Sequence, residues 1–133
     1  MEGFVKNIDE SEYVPMNEMM EAIDENLNPG MEELANTLAV KTFKLLDLKD
    51  NVKHDVIFDR IRVTVLSLSV NLELLADKRI RTKHCKQEAK FSLIEVQTLL
   101  RIAKQLGYVT DSALKPIEAM LEKLSEGLLG KKK

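Results

Sequence analysis

The chain contains no tryptophan, and aromatic residues make up only 5% of it. Its core must therefore rest on Leu, Val, Ile and Met. Glycine (five) and proline (three) are scarce and rare inside the long apolar stretches. That argues against a turn-rich all-β fold and for long helices. Cys85 is the single cysteine, so no intramolecular disulfide can form, and a reducing, cytoplasmic setting is expected. No uncharged apolar run reaches about 18 residues, so no membrane span is expected. Met1-Glu2-Gly3-Phe4-Val5-Lys6 lacks a basic stretch followed by an apolar one, so no secretory leader is expected.

What is present suits one domain. The chain has 133 residues, 44% of them hydrophobic, enough for a single core without disulfides or a metal. The net charge of −2 hides a division. Residues 1–36 hold ten acidic groups and one Lys, a net of −9; residues 37–133 hold nineteen Lys or Arg and twelve acids, a net of +7. An acidic segment precedes a basic body, and such asymmetry bears on partners.

The periodicity predicts four long helices. Residues 1–14 are polar and aperiodic, and Met16, Met19, Met20, Ile23 and Leu27 mark a short helix that stops at Asn28-Pro29-Gly30. The first long helix is predicted over Met31–Asp47, with Leu34, Leu38, Lys41 and Leu45 on one face and Val40 and Phe43 widening it. The second is predicted over Lys53–Lys78. Its partial alternation around Val63–Leu74 would also suit a strand, but its length without Gly or Pro favours a helix. It carries two stripes. One is Phe58, Ile61, Val65, Leu68, Leu72 and Leu75; the other is Val56, Val63, Leu66, Val70 and Leu74. A helix apolar on two sides needs cover on both, which makes Val63, Leu66, Val70 and Leu74 candidates for an oligomer interface. The third helix is predicted over Thr82–Leu106, with Leu93, Val96, Leu99, Leu100, Ala103 and Leu106 as its stripe. Phe91, Ile94 and Ile102 broaden it, and Gly107 is its C′ residue. The fourth runs over Asp111–Leu128 on Leu114, Ile117, Leu121, Leu124 and Leu128, with Pro116 leaving its start open. The expected fold is all-α: an antiparallel up-down-up-down four-helix bundle over 31–130, behind an acidic extension at 1–30 and before a basic tail at 131–133.

Catalysis finds little to work with. His54 and His84 are the only histidines. Cys85 adjoins His84, but adjacent helical side chains point about 100° apart. No Glu-x-x-His occurs for a di-iron site, no zinc spacing is present, and Gly127-x-x-Gly130 is not a phosphate loop. No enzyme activity, metal or cofactor is expected.

The positive signal is basic. Lys78, Arg79, Arg81, Lys83, His84, Lys86 and Lys90 surround the junction of the second and third helices, offset locally only by Asp77 and Glu88. Such a cluster can neutralise phosphates of RNA or DNA, and Arg101 and Lys104, with Arg60 and Arg62, would extend it if they project outward. A charged turn that caps helices and keeps the bundle soluble reads equally well. The Met-rich acidic segment also has two readings: an arm that docks in a groove or over the basic cluster, and, preferred, a plain extension with one packed stripe.

Residues 86–108, Lys-Gln-Glu-Ala-Lys-Phe-Ser-Leu-Ile-Glu-Val-Gln-Thr-Leu-Leu-Arg-Ile-Ala-Lys-Gln-Leu-Gly-Tyr, resemble the third helix of the four-helix bundle proteins of ribosomal-RNA intervening sequences. They are at least as similar to the accessory variability determinant proteins of diversity-generating retroelements. Leu99–Tyr108 is the strongest piece, and Leu124–Gly130 is similar to the family's end. The resemblance spans roughly residues 31–130. The intervening-sequence branch usually carries Ser-Ile-Pro-x-Asn-Ile-Ala-Glu-Gly in its second helix; here Ser67–Leu75 has neither that Pro nor the final Gly, which favours the retroelement branch. The resemblance implies a ring-shaped homopentamer, a basic nucleic-acid surface and a reverse transcriptase partner whose mutagenic cDNA synthesis the protein supports without catalysing it. The competing expectation is an oligomeric scaffold with no nucleic-acid role.

Overall fold

The computed structural model describes residues 30–77, 79 and 83–130. The short helix expected at 16–27, the acidic extension around it and the tail at 131–133 lie outside the described residues. Among the described residues all regular structure is helical: α1 Met31–Asp47, α2 Val56–Ala76, α3 Lys83–Gln105 and α4 Asp111–Leu129. The alternating stretch of α2 is helix throughout its 21 residues.

Local chemistry sets the ends. The second helix begins at Val56, three residues later than its apolar pattern suggested. Asp55 stops it: its Oδ1 accepts from the Ile57 N–H at 2.9 Å, an N-cap bond that Lys53 could not supply. Its Oδ2 accepts from the Tyr108 hydroxyl at 3.3 Å, and the Tyr108 ring meets Phe58 edge-on with centroids 6.0 Å apart. One aspartate thus caps α2 and ties it to the end of α3. That end is a Schellman turn: Gly107 takes φ 80°, Tyr108 N–H donates to Ala103 O, and Gly107 N–H to Lys104 O. Thr110 caps α4 by accepting from Ala113 N–H at 3.2 Å. Pro116 therefore lies in the second turn of α4 and not the first. Both Pro116 and Ser112, whose carbonyl loses its helical partner to the proline, are exposed residues.

Each helix packs on its neighbours in sequence, and α1 also packs on α4, closing a four-sided bundle whose broadest contact joins α2 to α3. The first α2 stripe is the core's centre: Phe58, Ile61, Val65, Leu68 and Leu72 are fully buried. The α4 stripe is buried as its spacing predicted. In α1 the buried face is Met31, Ala35, Leu38, Ala39, Thr42 and Leu46, rotated from the expected one. Ala35 and Ala39 let the backbones approach closely, so Leu34 and Leu45 fall at the edge, half-buried, while Lys41 and Val40 face out. In α3, Leu106 is exposed, and so are Phe91, Ile94 and Ile102, which do not broaden the core.

Polar pairs fix the helices against one another. Ser69 Oγ donates to Asn36 Oδ1 across α1 and α2. Across α2 and α3, Ser92 Oγ donates to Ser67 Oγ at 3.1 Å, Thr64 Oγ1 donates to Glu95 at 3.2 Å, and Arg60 pairs with the same carboxylate. Thr42 Oγ1 is buried without a hydrogen-bond partner among the described residues. A buried hydroxyl in that state costs roughly 1–3 kcal/mol, and valine is also β-branched and of similar shape. Thr42→Val is expected to raise unfolding free energy by about 1 kcal/mol in urea titration, whereas Leu68→Ala lowers it by about 2–5 kcal/mol.

Candidate nucleic-acid interface

The interface read from the sequence comprises Lys78, Arg79, Arg81, Lys83, Lys86, Lys90, Arg101 and Lys104. Lys78 and Arg81 lie outside the described residues. The other six do not form one uniform patch. Arg79 is exposed, but its guanidinium grips Asp77 through two bonds of 3.0 and 2.8 Å, so much of its charge is already answered. Lys104 sits 3.0 Å from Asp111, which holds its ammonium above its ordinary pKa. Lys86 is half-buried and engaged with a neighbouring group. Lys83, Lys90 and Arg101 remain: no carboxylate among the described residues lies within ion-pair distance of them.

Helical geometry places these three together. Steps of seven and eleven residues are close to two and three whole turns. Lys83, Lys90 and Arg101 therefore stand in one row along α3, with neighbours about 10 and 16 Å apart. Arg60 and Arg62, weighed as extensions of the surface, do not join it. Arg60 is committed to Glu95; Arg62 spans Asp59 at 3.0 Å, Asp47 at 3.4 Å and the Lys53 carbonyl at 2.8 Å. They tie helices and loops together.

The candidate oligomer residues sit on the opposite side of α2 from its buried stripe. Val63, Leu66 and Val70 are exposed, and Leu74 is half-buried against the core. Val56 at one end of the same face is 75% exposed. The α1 pairings place Val40, also exposed, at the level of Leu66. The second stripe is thus an apolar face that the described residues leave uncovered.

No three potential metal ligands gather among the described residues. Cys85 is buried, and His84 Nε2 lies 3.9 Å from Glu88, an ion pair only when the imidazole is protonated. The cleft lined by Leu48–Val52, Gly107 and Tyr108 holds about 550 Å³ but has no ionisable cluster beyond Lys49 and Asp50. No described helix is long and apolar enough to cross a membrane. Reading by residue type missed Phe91 and Ile94 as surface residues; Ile94 stands in the row of Lys90 and Arg101, Phe91 stands one turn from Glu88 and Glu95, and the place of both off the Leu93–Val96–Leu100 seam was the available signal. Compared with protein-family models, curated proteins and solved structures, the chain finds no match.

The titration of Glu95 is clearly displaced. The Arg60 hydrogen bond holds it below the ordinary carboxylate range, against the opposing effect of partial burial. A depressed folded value stabilises the fold above the ordinary carboxylate pKa and is lost as pH falls through the folded one. Wild type is therefore expected to exceed Glu95→Gln in urea midpoint at pH 7, with the gap closing below about pH 4; a gap independent of pH would remove Glu95 from this role.

Proposed function

We propose that the protein is a non-catalytic nucleic-acid-binding subunit, an antiparallel up-down-up-down bundle that assembles into a homo-oligomer and serves a reverse transcriptase. The observation that carries the nucleic-acid reading is the α3 row of Lys83, Lys90 and Arg101, three cations without acidic partners among the described residues. Such a row suits a phosphate backbone and gives salt-dependent affinity. The antiparallel run is supported by the crossed pairs: Asn36 meets Ser69 while Asp47 meets Arg62, and Ser67 meets Ser92 while Arg60 meets Glu95. In each set the number rises on one helix as it falls on the next.

The assembly reading rests on the face of Val63, Leu66 and Val70, which no described residue covers, since a monomer rarely leaves so continuous an apolar stripe in water. Its pentameric form, the reverse transcriptase partner and the support of mutagenic cDNA synthesis come from the resemblance of residues 86–108 to the retroelement accessory proteins. A single buried cysteine suits a cytoplasmic protein. The same apolar face also favours a second reading, an oligomeric scaffold that binds no nucleic acid.

Two measurements separate them. Binding to a structured RNA should weaken linearly in log Kd against log salt. Changing Arg79, Arg81 and Lys83 together to Glu should lower the slope by roughly 2–3 and weaken binding more than tenfold. Unchanged binding by that variant removes the junction from the interface. In light scattering, wild type should run as a pentamer, and Val63→Glu with Val70→Glu should leave smaller species that keep their helical circular dichroism. A monomeric wild type would end the ring reading.

A further inference from the structure

We propose that the chain's own acidic segment, residues 1–29, docks on the Lys83–Lys90–Arg101 row of α3 and competes there with nucleic acid. The competition rests on the nucleic-acid reading above; the docking does not.

The segment joins the bundle at Gly30, one residue before α1. The crossed pairs run α1 and α3 both against α2, so the starts of α1 and α3 share one end of the bundle. Each of the two packs on α2 and on α4. They therefore stand at diagonal corners, about 11–14 Å apart when neighbouring axes are 8–10 Å apart. The nine residues from Gly30 back to Glu21 span up to about 30 Å. Glu18 and Glu21 thus reach past the bundle end to the outward side of α3, with Asp24 and Glu25 on the way. The row from Lys83 to Arg101 is about 27 Å long, well within the reach of the remaining chain.

Charge selects that side. Residues 1–29 hold eight Asp or Glu and one Lys, a net of −7, and Glu18, Glu21, Asp24 and Glu25 fall close together. Beside the point of attachment, α1 and α2 present Glu33 and Glu73, both exposed and without a cation at ion-pair distance among the described residues. They repel an acidic chain. The α3 row offers the opposite sign: Lys83 and Arg101 are exposed and Lys90 is half-buried. Ile94 stands in the same row, 48% exposed. A phosphate backbone makes no use of an apolar side chain there. The segment does, because Met16, Met19 and Met20 are interleaved with its acids, and methionine adapts to irregular apolar contacts.

The test compares three full-length chains. One is wild type. The second carries Glu18→Gln, Glu21→Gln, Asp24→Asn and Glu25→Gln. The third, a control of the same net charge, carries Glu33→Gln, Glu73→Gln, Glu122→Gln and Glu126→Gln. Carbodiimide coupling without nucleic acid, read by mass spectrometry, should join wild-type carboxylates of residues 18–25 to Lys83 or Lys90. In a mixture of isotope-labelled and unlabelled chains, those links should form within one chain. A fluorescein-labelled RNA duplex, followed by anisotropy, should bind the segment variant about tenfold more tightly than wild type, the factor lost by a site covered about nine-tenths of the time. The gap should close above about 0.5 M salt, and the control should stay near wild type. Equal gains by the two variants, coupling to other lysines instead, or links only between chains would overturn the docking. If no chain binds RNA while the coupling to Lys83 persists, the nucleic-acid reading fails, the competition falls with it, and the docking stands.

Discussion

Burial of the inner α2 stripe is the contact that organises the molecule. Phe58, Ile61, Val65, Leu68 and Leu72 are wholly removed from water, and each such side chain stabilises by about 1.5–3 kcal/mol. Once that stripe faces the core, the helix has no freedom left. Its second stripe must point away, and its flanks must meet α1 on one side and α3 on the other. Those flanks are polar. Ser69 meets Asn36 on one; Thr64, Ser67 and Arg60 meet Glu95 and Ser92 on the other. Apolar burial supplies the energy, and these directional pairs set the register, since a slip by one turn would break them all.

The charge pattern follows from the same constraint. The body carries an excess of cations, yet most described ones near a helix contact are engaged: Arg60 by Glu95, Arg62 by two aspartates, Arg79 by Asp77, Lys104 by Asp111. Exposed pairs of this kind contribute about 0–1 kcal/mol each, so their larger effect is on the field around the molecule. They cancel locally, and Lys83, Lys90 and Arg101 on α3 are among the described cations left without a carboxylate at ion-pair distance.

The four helices and the α2 and α4 core stripes were legible in the sequence, because a clean 3-4 spacing of large aliphatics leaves only one face to bury. The α1 face was not. Its true seam runs through Ala35, Ala39 and Thr42, small residues that carry little hydropathy signal and matter because they admit a neighbouring backbone. Phe91, Ile94 and Ile102 misled in the opposite sense: apolarity suggested the core, while their angular position placed them outside it. The basic cluster was visible as composition, but composition cannot say which cations are already paired. Arg79 and Lys83 are four residues apart and differ completely in that respect, and only the position of Asp77 decides it. The Asp55 start of α2 was readable in principle, as an aspartate preceding an apolar run.

The bond between Tyr108 and Asp55 has a practical side. With no tryptophan in the chain, intrinsic emission comes from two tyrosines, Tyr13 and Tyr108. The phenol of Tyr108 is bonded to a carboxylate and its ring rests against Phe58 at the point where the α1–α2 and α3–α4 connections meet. Carboxylate acceptors quench phenol fluorescence, so opening that end of the bundle would brighten the chain. The protein thus carries a built-in optical gauge, placed at the opposite end of α3 from Lys83.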